Sequence, residues 1–384
     1  MVETDILPDI SSVDSQAWDR LVGSHSPFLE YGFLHTLEET GCLEPGSGWT
    51  PKIVVAKRGG DLVGAVPMYL KTNSAGEFVF DWSWAEGALR AGIEYYPKAV
   101  VAVPFTPVTG ARVLVDPADP YREKVTSALV DAALDIADEL ELSSVHFNFI
   151  LPEEQALFEE RGLPIRQGIQ YHWQNDGAGD VAAYSDFDDF LSRFRSKRRA
   201  NIRRERRKLR QSGVTTRVMV GEELSDADME RMFRYYLDTV HKYLYGRQYL
   251  TREFFLRIRR ALTERLHMVV ARKDGEPFGA AFNLHKGDRL YGRYWGCERE
   301  VKFAHFEACI YRPVQWCIEE GVAVFEPGAG GEHKLDRGFA PTWTYSAHYV
   351  RDPALRRAIN DFIRRETSAL ERRMKNLHDE FPLK

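Results

Sequence analysis

The sequence predicts an α/β (α+β) protein with two tandem domains, each made of a mixed sheet and flanking helices. Two observations lead to this prediction. Predicted strands and predicted helices alternate along the chain. The strands show alternating apolar and polar residues, and the helices show apolar residues at helical spacing. In addition, a strand-turn-strand segment from Val54 to Ala65 recurs without a gap from Val269 to Ala280, at a constant offset of 215 residues.

This repeat is the strongest evidence on domain organisation. In both copies, VVA is followed by a polar turn with glycine and then by a run that ends in Gly-Ala. A helix and a short apolar strand follow in both copies, so the order of the elements also agrees. We therefore interpret the chain as an internal duplication, and we expect residues 50–150 and 265–327 to share one strand order.

The other elements of the first half are predicted from local patterns. A capped amphipathic helix at 26–41 precedes the repeat, and an aromatic-rich segment at 78–107 follows it. Next come a helix at 123–140, a buried strand at 144–150 and a short helix at 152–161. The aromatic-rich segment fits either the lining of an apolar pocket or plain core.

A small, polar stretch from Gln174 to Asp186 is the best candidate for a domain boundary. We expect a first domain at 1–176 and a second at 177–384. The second domain starts with a very basic helix at 187–210. It ends with a helix at 353–377, whose apolar positions fit core packing or a dimer contact.

Composition and charge exclude several classes of protein. The net charge of −5 and the pI of about 6.2 argue against a nucleic-acid binder by bulk charge. The N-terminus has no apolar signal core, and no apolar run approaches the ~20 residues that span a membrane. We expect a cytoplasmic protein, and peripheral attachment at the inner membrane face stays open. The 4 cysteines lack zinc-ligand spacing, so neither a disulfide scaffold nor a metal site is predicted.

The segment from Leu290 to Tyr345 holds the predicted working end of the chain. A strand at 290–296, a crossover helix at 306–320 and a strand at 322–325 predict a parallel strand pair. Open α/β sheets bind ligands at the carboxyl ends of such strands. Glu326 and a glycine-rich loop follow the second strand directly, so we expect the site there.

The candidates for catalytic roles are Glu326, Glu307 and His333. Carboxylates or imidazoles near the ends of the strands could act as a general base. Glu326 is the preferred base because it ends a buried strand, where burial would raise its pKa towards neutrality; accepting a loop-closing hydrogen bond is the alternative. Glu307 stands in the first turn of the crossover helix, where it could instead complement the helix dipole.

Further polar residues surround these candidates. Lys334 and Arg337 are predicted to bind an anion or a carbonyl group, with solvated loop charges as the alternative. Tyr311 could protonate a leaving group or pack as a core aromatic. His305 and Glu307 are two positions apart, so they cannot share a helix face as joint metal ligands.

Eleven of the eighteen residues from Arg193 to Arg210 are basic, and Glu205 is the only acid among them. Three partners fit such a helix: the phosphate backbone of an RNA such as tRNA, an anionic membrane surface, or an acidic acyl carrier protein. A solvated helix face is the alternative. The predicted partner-binding residues are Arg198, Arg199, Arg203 and Arg204.

The pattern VVA-x-x-x-G-x-x-x-GA, followed by strand, helix and strand, resembles the core of the GNAT acyltransferase fold. Two such cores in one chain resemble Fem-type aminoacyltransferases. More closely, the chain is similar to the bacterial FemAB-like predicted N-acyltransferases, of the peptidoglycan biosynthesis or recognition type. The strings that carry the resemblance are YYPKAVVAVPFTPVTG (95–110), KRRANIRRERRK (197–208), LYGRYWG (290–296), HFEA (305–308), FEPGAGGEHK (325–334) and TYSAHY (344–349).

The resemblance implies a double GNAT-like fold and N-acyl transfer. On or beside its strings lie the predicted substrate-binding residues Tyr95, Lys98, Phe105, Thr106, Arg293, His305, Tyr311, Lys334 and Arg337. GNAT enzymes hold the coenzyme A pyrophosphate with R-x-x-G-x-G/A at a helix start, but the segments at 116–123 and 297–305 lack those glycines. A conventional acetyl-CoA site is therefore not expected.

The donor and acceptor follow from these features. The leading prediction is transfer of a long-chain acyl group from acyl-CoA or acyl carrier protein to the amine of an envelope lipid precursor such as a sphingoid base. Aminoacyl transfer from tRNA to a peptidoglycan precursor is the alternative mechanism. A non-catalytic module that binds an envelope precursor is the alternative from another class. The donor is a co-substrate in either reaction, and no tightly bound cofactor is expected.

Overall fold

A computed structural model describes residues 2–175, 183–242 and 246–383 of the chain. The strands are β1 (Glu3–Leu7), β2 (Trp49–Pro51), β3 (Ile53–Arg58), β4 (Asp61–Val66), β5 (Met68–Lys71), β6 (Lys98–Val101), β7 (Leu114–Val115), β8 (Ser144–Ile150), β9 (Ile165–Gln174), β10 (Val214–Val220), β11 (Leu266–Lys273), β12 (Glu276–Lys286), β13 (Arg289–Cys297), β14 (Val324–Glu326) and β15 (Ala340–Val350). The helices are α1 (Ser15–Val22), α2 (Tyr31–Glu39), α3 (Trp82–Arg90), α4 (Arg122–Glu139), α5 (Gln155–Glu159), α6 (Phe187–Ser192), α7 (Ser196–Gln211), α8 (Asp226–Lys242), α9 (Arg252–Ala261), α10 (Ala304–Phe306), α11 (Arg312–Glu319) and α12 (Pro353–Glu380).

The chain folds as two compact units. Unit 1 comprises Met1–Gly168 and Trp343–Arg372, and unit 2 comprises Ile169–Thr342 and Arg373–Lys384. Unit 1 therefore takes a late segment of the chain, which a division into two consecutive domains does not anticipate. The predicted boundary itself, between residues 176 and 177, lies outside the described residues.

Unit 2 contains a mixed sheet with the strand order β10, β11, β12, β13, β14, β9. The strands β10 to β13 are antiparallel neighbours, whereas β13 and β14 pair in parallel. The crossover between β13 and β14 is a helical segment made of α10, a π-helical turn at Glu307–Tyr311 and α11. The predicted strand, crossover helix and parallel strand are thus confirmed.

Unit 1 distributes the same pattern over two sheets, with the orders β1, β3, β4, β7 and β15, β8, β6, β5, β2. The strands β4 and β5 are separated by Pro67, which has no N–H group to donate to a ladder. The strand β6 pairs in parallel with β8, and α4 lies in the crossover between them.

The internal duplication is confirmed at the level of single residue pairs. Val54 pairs with Val66 in unit 1, and Val269 pairs with Ala281 at the same offset in unit 2. The β-bulge follows Ala56 in the first hairpin and Ala271, 215 residues later, in the second. The next strands also correspond, because an antiparallel pair followed by a parallel pair occurs in both units.

The two hairpins also use the same kind of turn. Gly59 and Gly60 have φ of 59° and 94°, and Asp274 and Gly275 have φ of 54° and 89°. Two-residue turns with positive φ at both positions match the twist of the flanking strands. Glycine occupies the second position of both turns, where most side chains rarely adopt such a φ, and the first position tolerates Asp274.

The predicted continuous basic helix at 187–210 is wrong. The structure has two helices, α6 and α7, and Arg195 between them is extended with φ −53° and ψ 140°. The Arg195 N–H donates to the carbonyl oxygen of Pro382, and Phe194 forms a bridge with Leu383. Pairing with the chain terminus therefore overrides the helical propensity of this segment.

The C-terminal helix α12 ends at Glu380, slightly beyond its predicted end at 377. In unit 1, its residues Leu355, Ile359 and Ile363 pack with Trp84 of α3, which confirms core packing. Within the described ranges, no helix is long and apolar enough to cross a membrane.

Candidate functional site

Unit 2 contains a cavity of about 620 Å³ at the carboxyl ends of β13 and β14. The ladder between these strands ends at the pair Tyr291–Glu326, so residues 292–297 of β13 continue without β14 beside them. A Cβ at Gly292 would lie 3.1 Å from the Cα of Pro327, so glycine allows the two backbones to approach closely where the ladder ends. The predicted working end is therefore the place where the sheet opens.

The cavity wall combines strand, helix and loop residues. Four cationic side chains and two carboxylates line it, together with Asn283, Trp295 and Cys309. The cations are Lys242, Arg293, Lys302 and Lys334, and the carboxylates are Asp238 and Glu300. The volume lies within the usual range for small-molecule sites, and the excess of cations favours an anionic ligand.

Lys334 is the most unusual residue of the wall. It is 7% exposed, and its Nζ donates to the carbonyl oxygen of Gly328 at 2.7 Å. The contacts to the carbonyl oxygens of Ala329 and Pro327 are longer, at 3.4 and 3.5 Å. Burial lowers the pKa of Lys334 to about 8, so the amine is still mostly protonated at pH 7. Within the described chain, no carboxylate forms an ion pair with it.

Two histidines share this wall. The rings of His305 and His333 lie 5.9 Å apart between centroids, and both line the cavity. Burial, with the nearby positive charges, lowers the pKa of His305 to about 4 and also lowers that of His333. Both imidazoles are therefore neutral at pH 7 and can accept a proton.

Glu326 projects from the other side of the sheet. Successive strand residues point to opposite faces, and Phe325 packs under the crossover helix with Leu290 and Val314. Glu326 is 3% exposed, and Arg289 donates to its Oε1 at 2.9 Å. Burial raises the pKa of Glu326 to about 7, although Arg289 opposes the shift.

A histidine that the sequence did not single out stands beside Glu326. The Nε2 of His172 in β9 lies 3.9 Å from Glu326 Oε2, an atom without a hydrogen-bond partner among the described residues. Burial lowers the pKa of His172 to about 3, and the charges of Arg289 and Lys334 act in the same direction. His172 therefore lies close enough to Lys334 to interact electrostatically, although neither His172 nor Glu326 is among the described residues that line the cavity.

Glu307 is not brought to the cavity. Its carboxylate accepts hydrogen bonds from Arg206 Nη2 at 2.8 Å and from Arg206 Nε at 3.0 Å. Arg206 also donates to Gln315 and stacks on Phe187. Glu307 and Glu326, both catalytic candidates, therefore do not face one opening, because Arg206 of α7 binds the carboxylate of Glu307.

Tyr311 and Arg337 also have internal partners. The Tyr311 hydroxyl donates to Glu205 at 2.5 Å, and Arg337 donates to both Glu205 and the Tyr311 oxygen. Burial raises the pKa of Tyr311 well above its usual range. These contacts tie α7 to the turn that contains Lys334, and the substrate-binding roles of Tyr311 and Arg337 stay predictions.

The four substrate-binding candidates of unit 1 are all buried. Lys98 is 0% exposed and pairs with Asp81 and, at 2.9 Å, with Glu77. Tyr95 donates to Asp81 at 2.6 Å. Phe105 packs edge-on against Trp49, and Thr106 donates to the carbonyl oxygen of Pro104. Their role in binding substrate stays a prediction.

The predicted partner-binding arginines differ in their surroundings. Arg198 pairs with Asp336, Arg203 pairs with Asp188, and Arg199 donates to the carbonyl oxygens of Ser192 and Phe194. Arg204 is exposed and has no such partner within the described chain. Of the four, Arg204 is therefore the one that is fully available to another molecule.

Sequence reasoning missed Asn283, His172 and Arg289. Asn283 interrupts an apolar run in β12 and contacts His267 at 2.9 Å, so a polar residue in a core strand was an available signal. His172 and Arg289 carried no such signal, because their partners are distant in the chain. Within the described ranges, no group of three or more His, Cys, Asp or Glu could hold a metal ion.

Comparison with known proteins supports one family. A sequence model of the FemAB-like family, described as peptidoglycan biosynthesis/recognition, matches residues 9–384. No curated protein sequence matches the chain.

Three solved structures are similar in fold at low identity. FemX is 12% identical, with 93% of this chain and 100% of FemX covered and a TM-score of 0.56. The C-terminal domain of a putative lysylphosphatidylglycerol synthetase from Agrobacterium fabrum is 12% identical, with coverages of 92% and 97% and a TM-score of 0.54. L-PGS from Bacillus licheniformis is 12% identical, with coverages of 86% and 95% and a TM-score of 0.50. These likenesses show the fold alone, and the predicted α/β architecture of mixed sheets with flanking helices is confirmed.

Proposed function

We propose that this chain, which belongs to the FemAB-like family, is a transferase that moves an aminoacyl group from an RNA ester to the amine of a cell-envelope precursor. The observation that carries the proposal is Lys334, a buried cation without a carboxylate partner in the described chain, at the wall of the unit 2 cavity. A lysine is rarely buried without a counter-charge, and such a group in a cleft indicates a functional site.

In this reaction Lys334 stabilises the oxyanion. Two of its three contacts to loop carbonyls are 3.4 and 3.5 Å long, so its ammonium group keeps the capacity to donate to a substrate oxygen. The attacking nitrogen forms a C–N bond to the ester carbon, and negative charge develops on the carbonyl oxygen. A preorganised donor that is itself buried lowers the energy of that charge.

His333 is the base in this proposal. It lines the cavity, and its imidazole is neutral at pH 7, so it can take the proton of the attacking amine. When the C–O bond breaks, the same proton passes to the departing ribose oxygen. His305, at 5.9 Å between ring centroids, holds its ring against His333. Glu326 has the better pKa for a base but projects from the opposite face, so it is the second candidate.

The proposed donor differs from the leading prediction made from the sequence. The comparisons support the Fem-type alternative better, because the family description refers to peptidoglycan and a similar structure is named FemX. Another similar structure is named as a putative lysylphosphatidylglycerol synthetase, a name that joins an amino acid to a phospholipid. Neither the fold nor these names support a sphingoid-base acceptor. The proposed acceptor is therefore defined only as the amine of an envelope precursor, which is either a peptide or a lipid.

A transfer assay with two donors tests the proposal. The purified full chain is incubated with envelope precursors and either labelled aminoacyl-tRNA or labelled long-chain acyl-CoA. We expect label to move from tRNA to an alkali-stable, amide-linked product. Transfer from acyl-CoA alone would favour the long-chain acyl reaction instead. Binding of precursors without transfer from either donor would leave the non-catalytic module.

A further inference from the structure

One face of α7 carries a row of cations that the proposed chemistry does not use. Residues three, four or seven positions apart lie on the same face of a helix. The buried face of α7 contains Ile202 and Leu209, seven apart, with Glu205 bonded to Tyr311 and Arg337. Glu205, the only acid between Arg193 and Arg210, therefore points towards the buried face and forms no ion pair with the exposed cations among the described residues of α7.

The opposite side, which we call the α7 outer face, is formed by Lys197, Arg204, Arg207 and Lys208. All four are exposed, and none has an ion pair or a side-chain hydrogen bond within residues 2–175, 183–242 and 246–383. The side chains between them on this face are Ala200, Asn201 and Gln211, none of which is charged. Four cations without a compensating acid create a locally positive surface on a chain whose net charge is −5.

The kind of partner follows from what this face lacks. Helices that lie in a membrane interface present Trp, Phe or Leu to the lipid, and the α7 outer face has no large apolar side chain. Lys197 and Lys208 are separated by ~16 Å along the helix axis, at 1.5 Å per residue. That length spans several phosphates of a nucleic-acid strand, which carries one charge every ~3.4 Å of axis in a duplex.

We propose that the α7 outer face docks the phosphate backbone of an RNA. This inference rests on the proposed function, because the RNA would be the one that carries the aminoacyl group. The α7 helix belongs to the unit with the cavity, and Leu209 packs in one cluster with Ala304 of the cavity wall. A backbone held on α7 therefore positions the donor relative to that site without entering it.

Binding of bulk tRNA that carries no amino acid tests the inference on the full chain without any transfer reaction. In the test variant, Lys197, Arg204, Arg207 and Lys208 are changed to Gln. In the matched control, four exposed arginines of α12, Arg357, Arg364, Arg365 and Arg372, are changed to Gln, so the net charge is the same.

We expect the wild type and the α12 control to bind tRNA alike, with affinity falling steeply as salt rises. In the α7 variant, the slope of log K against log[salt] should become shallower by about 3, because each phosphate that a cation neutralises adds ~0.7–0.9 to it. An equal weakening in both variants would overturn the inference, since only bulk charge would then matter. Binding to anionic phosphatidylglycerol vesicles or to an acyl carrier protein, without binding to tRNA, would also overturn it.

The same experiment separates this inference from the proposed function. If tRNA binds through α7 but aminoacyl-tRNA donates nothing, the proposed reaction fails and the docking face stands. If aminoacyl-tRNA donates at an unchanged KM in the α7 variant, the reaction stands and the docking face is refuted.

Discussion

The Nζ of Lys334 lies 2.7 Å from the carbonyl oxygen of Gly328, in the loop that follows β14. The same loop turns on three glycines with positive φ, Gly328, Gly330 and Gly331. A buried ammonium group is thus held by backbone carbonyls, which orient it without neutralising its charge. This arrangement distinguishes Lys334 from Lys98, which is also buried but pairs with two carboxylates.

The pH dependence of transfer should report the protonation of Lys334. Burial lowers its pKa to about 8, so the stabilising ammonium is present below that pH and is lost above it. We expect kcat/KM for transfer to fall as the pH rises from 8 to 10. In a Lys334→Arg variant the cation persists, so this alkaline decline should disappear even if the maximal rate is lower. A decline that is identical in both proteins would assign the titration to another group.

The choice of base predicts a difference between two substitutions. His333→Gln should lower kcat by on the order of 100-fold or more, as expected when a general base is removed. Glu326→Gln should lower it by less than about tenfold, because Glu326 faces away from the cavity. Steady-state kinetics with aminoacyl-tRNA measures both. A collapse in Glu326→Gln with a mild effect in His333→Gln would make Glu326 the base.

The stability of the protein should also depend on Glu326. Its pKa is raised to about 7 in the folded state, so folding favours the protonated form. The stabilising contribution of this group is present below the unfolded pKa, near 4.5, and is lost as the pH rises through 7. The wild type should lose this contribution as the pH rises, whereas Gln does not titrate. We therefore expect the unfolding free energy of Glu326→Gln, minus that of the wild type, to increase from pH 5 to pH 8. Denaturant unfolding at the two pH values measures this, and a constant difference would contradict it.

The pair of Arg206 and Glu307 should be structural. Both side chains are largely buried, at 15% and 11% exposure. Arg206→Ala would leave the Glu307 carboxylate unpaired and should cost about 3–5 kcal/mol of unfolding free energy. The control is Arg203→Ala, which breaks the exposed pair with Asp188 and should cost less than about 1 kcal/mol.

A second variant tests the same pair from the other side. In Arg206→Met combined with Glu307→Leu, no charge is left unpaired, so most of the stability should return. Urea unfolding gives all three values. Failure of the double variant to recover would show that Arg206 acts through its contacts with Gln315 and Phe187 instead.

Local patterns in the sequence were sufficient for the elements and the repeat. Val54 and Val269 begin the repeated segments, whose hairpin pairing and bulges coincide because turn residues and strand alternation are encoded within a dozen positions. The crossover helix was predictable for the same reason. Its π-helical turn was not, since the spacing of apolar residues does not reveal one extra residue in a turn.

The contacts of the site were less predictable because they join distant positions. Glu307 is captured by Arg206, 101 residues earlier, and Glu326 meets His172 on a strand from the first half of the chain. The break between α6 and α7 depends on Pro382 and Leu383 at the end of the chain. Residue type identified Lys334 and His333, whereas only the fold shows which polar groups remain available.

The proposed chemistry depends above all on Lys334, which would stabilise the charge that develops during transfer. The decisive comparison is the transfer rate from aminoacyl-tRNA in Lys334→Met, in the wild type and in Lys273→Met, a partly exposed lysine at the end of β11. We expect kcat to fall on the order of 100- to 1,000-fold in Lys334→Met, with normal tRNA binding and an unchanged rate in Lys273→Met. A Lys334→Met protein that is folded and transfers at more than about half the wild-type rate would refute the role of this lysine.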